Sequence, residues 1–322
     1  MNHLFTTKDI STYRSELMGW SIMWIMMLHF TFTQIRPLGF LAQYGFAGVD
    51  IFMFVSGFGL YFSLEKNSHI ISFYKKRFLR IFPTYYILGI FASILLYHDT
   101  ILTYLFRYTT IGFWTGGVYS AWYIPSIVFL YLCTPFIKKL YDHKLLIIII
   151  LICVLCLITS YILVANDYIP KSEPHFFLLC RIPSFLFGMT CAYWVKNDIA
   201  NKYYYFILLT GIPFCIYLYP LHHTIYNYKY LSLVFLLPLF AFIFVTISKY
   251  CHSINPIISK IGKASLEIYI IQGMIFHAIG TGIITMSTEY HDIISIFLMI
   301  LSSSLGISAH WLIDKTGITR IL

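Results

Sequence analysis

Between Lys144 and Asp167 the chain reads LLIIIILICVLCLITSYILVAN, without a charged residue. A helix needs roughly 20 consecutive apolar residues to cross the hydrocarbon core of a bilayer, and this run meets that length. Comparable runs recur almost end to end, at about 17–34, 45–63, 81–98, 119–137, 145–164, 176–195, 203–220, 231–248, 264–286 and 292–313. Backbone groups in lipid must satisfy one another, which makes each run a helix. The expected fold is an all-α integral membrane protein of about ten transmembrane helices. With 59% hydrophobic and 11% charged residues, and a mean hydropathy of +0.77, an ordinary soluble domain is excluded. No polar block is long enough to fold separately, so a single polytopic domain over residues 1–322 is expected. The piece 101–118 is amphiphilic and reads as interfacial or re-entrant. The first run begins near Leu17 without a small-residue cleavage site, and reads as a retained span.

Charge placement orients the chain. If the N-terminus is cytoplasmic, the even-numbered connections and both termini hold all of the 22 basic residues except five. Arg36, Arg107, Lys171 and Lys229 fall on the far side, and Arg181 lies inside a run. Basic loops stay inside, so both termini are expected in the cytoplasm. The net charge of +9 therefore points to membrane lipids as partners and not to nucleic acid. Most of the seven cysteines sit within apolar runs and behave as small apolar residues. Cys153-x-x-Cys156 lacks polar neighbours, and His222-His223 lacks carboxylate or cysteine company, so no metal site is expected.

The polar residues inside the runs carry the chemistry. His29 lies in the outer half of the first run, and Asp50 enters the second at similar depth. A carboxylate in a span usually has a partner or a task. An Asp on one imidazole nitrogen would orient the ring and raise the basicity of the other, making His29 and Asp50 the candidate catalytic pair; a structural bond closing the hairpin is the plainer alternative. Arg77 and Arg80 are three residues apart on one face of a helix start, next to Lys75 and Lys76. Their forks suit phosphate, although positive-inside anchoring alone would place them there. Arg181 either donates to an oxyanion, with Ser56 as a second candidate, or snorkels outward. Glu267 either pairs with Lys263 one turn earlier or complements the helix dipole. Tyr269 and Gln272 share a helix face. Trp122 would stack on a sugar or serve as a belt tryptophan.

In these same residues the chain resembles acyltransferase family 3, the integral-membrane acyltransferases of cell-surface glycans. The resemblance covers nearly the whole length. It rests on His29, GFAGVDIFMFVSGF, KKRFLRIFPTYY, WYIPSIVFLYLCTPFI, RIPSFLFG and IGKASLEIYIIQ, in that order. It implies ten helices, acyl-CoA (acetyl-CoA above all) as cytoplasmic donor, and a hydroxyl of a cell-surface or lipid-linked polysaccharide as acceptor, of O-antigen, capsule or exopolysaccharide type. It also implies a bacterial inner membrane, no metal, and a functional core containing His29, Arg77 and Arg80; homo-oligomerisation stays open. Lys76 joins the donor anchor, and Trp122, Arg181, Ser56 and Glu267 are the candidate substrate-binding residues. Two positions depart from the pattern. Met18 stands where many members have an arginine, with Arg14 the nearest upstream, and Gln272 stands where members often have a histidine. The esterase-like domain of some members is not expected. The competing reading is a transporter or flippase of a lipid-linked sugar, which inverted repeats or paired broken helices would favour; neither is evident. A polysaccharide polymerase ranks third, since no large outer loop is present.

Overall fold

The computed structural model describes residues 6–117, 121–166, 174–218 and 228–317. Tyr119, Lys171, His222-His223 and Arg320 lie outside them. Among the described residues the regular elements are all helices. Seven are long and apolar enough to cross a membrane: Ala47–Lys66, Ile70–Tyr97, Tyr123–Asp142, Leu146–Leu163, His175–Lys196, Leu233–Tyr250 and His291–Lys315. The other three expected runs are helical too, as Arg14–Phe30 (17 residues), Ala200–Leu218 (19 residues) and Ser265–Gly280 (16 residues). Pro83, Pro135, Pro183, Pro213 and Pro238 all sit inside helices. Packed membrane helices tolerate this because neighbouring groups satisfy the carbonyls that a proline frees.

The chain divides into two compact units. One comprises Met1–Leu17, Asp50–Phe73 and Ser126–Cys251. Its centre is the contact between the Ala47–Lys66 and Pro174–Lys196 helices, where small residues let the backbones touch. A Cβ on Gly57 would collide with the carbonyl of Phe185, and one on Gly188 with that of Phe54. At one end of this contact lies a charge network. Glu65 accepts from Lys196 at 2.6 Å and pairs with Lys138 at 3.0 Å. Lys138 also pairs with Asp142 and lies over the Tyr61 ring, 4.6 Å from its centroid. Three helices are thereby tied at a level where each has just left its apolar stretch.

The other unit comprises Met18–Val49, Tyr74–Pro125 and His252–Leu322. Here the turn that follows the His29 helix is clamped by the start of the last helix. Asp292 accepts the backbone N–H of Thr33 at 2.8 Å, Gln34 at 3.0 Å and Ile35 at 2.6 Å. Ser295 donates to the Phe30 carbonyl at 2.8 Å. Gly306 lets the last helix close on Ile268 of the Ser265–Gly280 helix. The amphiphilic piece forms the helices Ile101–Tyr108 and Ile111–Trp114. The chain reaches it through a widened turn at Ser93–Tyr97 and a left-handed His98 (φ 50°), after which Thr100 caps the Thr103 N–H. Asp99 then holds the turn, taking Arg107 at 2.8 and 3.0 Å and Ser93 at 2.8 Å. Tyr104 Oη donates to the Tyr86 carbonyl at 2.9 Å, which lays this short helix along the preceding span.

Candidate active site

His29 closes the Arg14–Phe30 helix, half-buried, with its ring stacked on Phe276 (centroids 4.8 Å, planes 24° apart). Its Nδ1 lies 2.6 Å from Oε1 of Gln272, a side chain only 1% exposed. The other end of that amide fixes which atom faces the ring: Gln272 Nε2 donates to the Tyr269 carbonyl at 3.3 Å, leaving Oε1 toward His29. A carbonyl oxygen only accepts, so Nδ1 carries the proton and Nε2 keeps the lone pair. Tyr269, Gln272 and Phe276 line up because residues three and four apart share a helix face. Tyr269 in turn meets Tyr123 at 5.3 Å between ring centroids, and Trp122 stands 6.2 Å from Tyr123. The imidazole is a neutral base held between a fixed amide and an aromatic ring.

The group on the His29 ring is thus Gln272, and not the Asp50 that the sequence suggested. Asp50 is fully buried in its own unit, where Ser184 donates to it at 2.7 Å and Arg181 lies 3.6 Å away. The reason is electrostatic. A guanidinium inside an apolar helix costs several kcal/mol unless it is paired, roughly 2.5–3.5 kcal/mol on insertion scales, and Asp50 is the carboxylate it meets. Arg181 is 2% exposed, so it does not snorkel. Ser56 is buried on the same helix as Asp50, six residues along.

Within the unit of His29, Arg80 Nη2 donates to the Lys263 carbonyl at 3.1 Å. One turn further along the Arg80 helix, Thr84 donates to Glu267 at 3.4 Å. Arg77 is half-buried, and Lys76 is exposed. Glu267 is 2% exposed and does not pair with Lys263; its partners are Thr84 and Nδ1 of His310 at 3.1 Å. The chain breaks at Ala264 (φ −90°, ψ 12°), so Lys263 ends one helix while Glu267 belongs to the next. The sequence reading missed His310, whose only signal was a histidine inside the last apolar run. From Glu267 to Gln272 the helix rises about 7.5 Å, which sets the step from the basic end of this unit to the imidazole.

The family model described as an acyltransferase domain matches residues 17–312. The chain belongs to acyltransferase family 3. A curated protein of Acidianus two-tailed virus named "Putative acetyltransferase ORF330" is 28% identical over 153 residues, 45% of this chain and 46% of that protein. The chain thus spans about half the length of the curated relative it matches. No solved structure matches it. Among its described residues this family 3 member carries seven helices long and apolar enough to cross a membrane, the build of a multi-pass membrane protein. At position 272 its glutamine gives the histidine a neutral partner.

Proposed function

We propose that this acyltransferase moves an acyl group, acetyl in the first instance, from acyl-CoA at the cytoplasmic face to a hydroxyl of a cell-surface or lipid-linked polysaccharide. Ten helices in a bacterial inner membrane, with both termini inside, is the topology that goes with this reading; the placement of the basic residues supports it. The observation that carries the proposal is the His29–Gln272 pair, which leaves imidazole Nε2 free to accept a proton.

A thioester is already activated, so the protein has mainly to bring two substrates together and supply a base. Arg77, Arg80 and Lys76 hold the phosphates of the donor. His29 Nε2 takes the proton of the acceptor hydroxyl, whose oxygen attacks the thioester carbonyl. A C–O bond forms, the C–S bond breaks, and CoA leaves as the thiolate. The proton on His29 then passes to it or to solvent. Trp122, joined to the Gln272 helix through Tyr123 and Tyr269, offers a ring face to the sugar. Gln272 takes the orienting part, and Asp50 with Arg181 forms an ion pair of the other unit. The test is transfer of labelled acetyl from acetyl-CoA to a panel of lipid-linked glycans by the purified protein. Labelled glycan made by wild type and not by His29→Ala supports the reading; no labelled product with any acceptor or acyl-CoA contradicts it.

A further inference from the structure

A cavity of about 530 Å³ opens between the Asn255–Lys263 helix and the end of the last helix, lined by Lys260, Lys263, His310, Trp311 and Asp314 among others. All of these lie within the unit that carries His29. The volume is that of a small-molecule site. Lys260 and Lys263 are exposed on one wall, and the Trp311 indole, 58% exposed, stands on the other. Lys315 lies over that indole, 4.7 Å from its centroid, adding a third cation beside the aromatic face. The carbonyl of Lys263 is held by Arg80, so the cavity adjoins that arginine.

A second observation lies behind the cavity wall, at the residue that holds His310. Glu267 is almost completely buried, and among the described residues its Oε2 has no hydrogen-bond partner. Its Oε1 holds Nδ1 of His310, a cavity-lining residue, so that ring presents Nε2 as its remaining polar atom. A fixed imidazole, two lysines and a flat indole suit a phosphorylated purine. The indole stacks on the base, the ammonium groups meet phosphate oxygens, and the imidazole nitrogen bonds a polar edge. An anionic lipid headgroup would use the lysines and leave the indole without a ring to stack on.

We infer that the cavity of Lys260, Lys263, His310 and Trp311 is an adenine-nucleotide pocket that takes the adenosine phosphate end of the acyl donor. This rests on the proposed acyl-CoA reading and extends it beyond Arg77 and Arg80. Trp311 is the stacking platform, and Glu267 positions His310.

The experiment is calorimetric binding of CoA, and separately of adenosine 3′,5′-bisphosphate, to the full chain in nanodiscs of phosphatidylcholine or of phosphatidylglycerol. Wild type binds both probes, with similar affinity in the two lipids. Trp311→Ala weakens both by about tenfold or more, the scale of one lost stacked base, while Trp311→Phe keeps most of the affinity. Lys260→Ala with Lys263→Ala weakens the bisphosphate most. These side chains are exposed, so the variants fold. CoA binding by wild type that is unchanged in Trp311→Ala and in the double lysine variant overturns the pocket and leaves the donor reading standing. Absence of CoA binding by wild type overturns both. Bisphosphate binding lost in phosphatidylglycerol alone identifies a lipid-headgroup site and overturns the assignment.

Discussion

Nδ1 of His29 and Oε1 of Gln272 meet at 2.6 Å although 243 residues separate them in the chain. Each is held from behind: His29 by the Asp292 clamp and the Ser295 bond that follow its helix, and Gln272 by the Tyr269 carbonyl. If this pairing sets the tautomer, removing the amide should damage turnover more than binding. Gln272→Leu is expected to lower kcat for acyl transfer by about 10–100-fold, no more than the lower limit of general-base help because the imidazole itself remains, with KM for acyl-CoA little changed. Steady-state kinetics of the two variants Gln272→Leu and Gln272→His check it. The histidine variant can still engage Nδ1 and should retain more activity than leucine.

The Asp50–Arg181 pair predicts a stability effect of a specific form. Removing one partner leaves a buried charge without its counterion, at a cost of about 3–5 kcal/mol, whereas removing both costs much less. Asp50→Asn and Arg181→Leu should each lower the melting temperature in detergent, and the double variant should recover much of the loss. Additive losses in a double-mutant cycle would show that the pair does not act as a unit.

Much of this was legible in the sequence, for reasons that differ from residue to residue. The helices followed from runs that lipid forces into hydrogen-bonded form. Gln272 could be placed on a face with Tyr269 by local spacing alone. Its partner could not, because nothing local links positions 29 and 272. Asp50 looked like the partner of His29 since counting along consecutive apolar runs gives both a similar depth, but such a count leaves open which face of a helix a side chain occupies. Arg181 then supplied a stronger attraction than a neutral imidazole could. Glu267 was matched to Lys263 by counting one turn along a continuous helix. The break at Ala264 cancels that count and turns the carboxylate to His310.

The backbone contacts at Gly57 and Gly188 admit no side chain. Gly57→Ala and Gly188→Ala should each destabilise the protein by about 1–3 kcal/mol, as overpacking does, because the obstacle is a helix backbone and not a flexible side chain. Thermal unfolding in detergent reads this directly. An alanine at either position with unchanged stability would mean the two helices can move apart freely.

At the Asp99 turn the stability should depend on pH. Burial pushes the Asp99 carboxyl up, yet bonds from Arg107 and Ser93 and the charge of Arg107 outweigh it and hold the group below its ordinary value. A depressed folded-state value means the contribution is fully present above the unfolded pKa of about 3.9 and disappears as pH falls through the lower, folded one. Wild type should therefore be more stable than Asp99→Asn at pH 6, and the gap should narrow below about pH 4. Melting curves across that range test it. A gap that widens on acidification would reverse the sign.

The most direct measurement of the central claim follows His29 through three readouts on one preparation: acyl-CoA binding, melting temperature, and transfer of labelled acetyl to a lipid-linked glycan. Replacing His29 by alanine should lower transfer by about 10²–10⁴-fold, the range of general-base catalysis, while donor binding and melting temperature stay close to wild type. Transfer that persists in His29→Ala, or falls only in step with folding and donor binding, would contradict a base at this position.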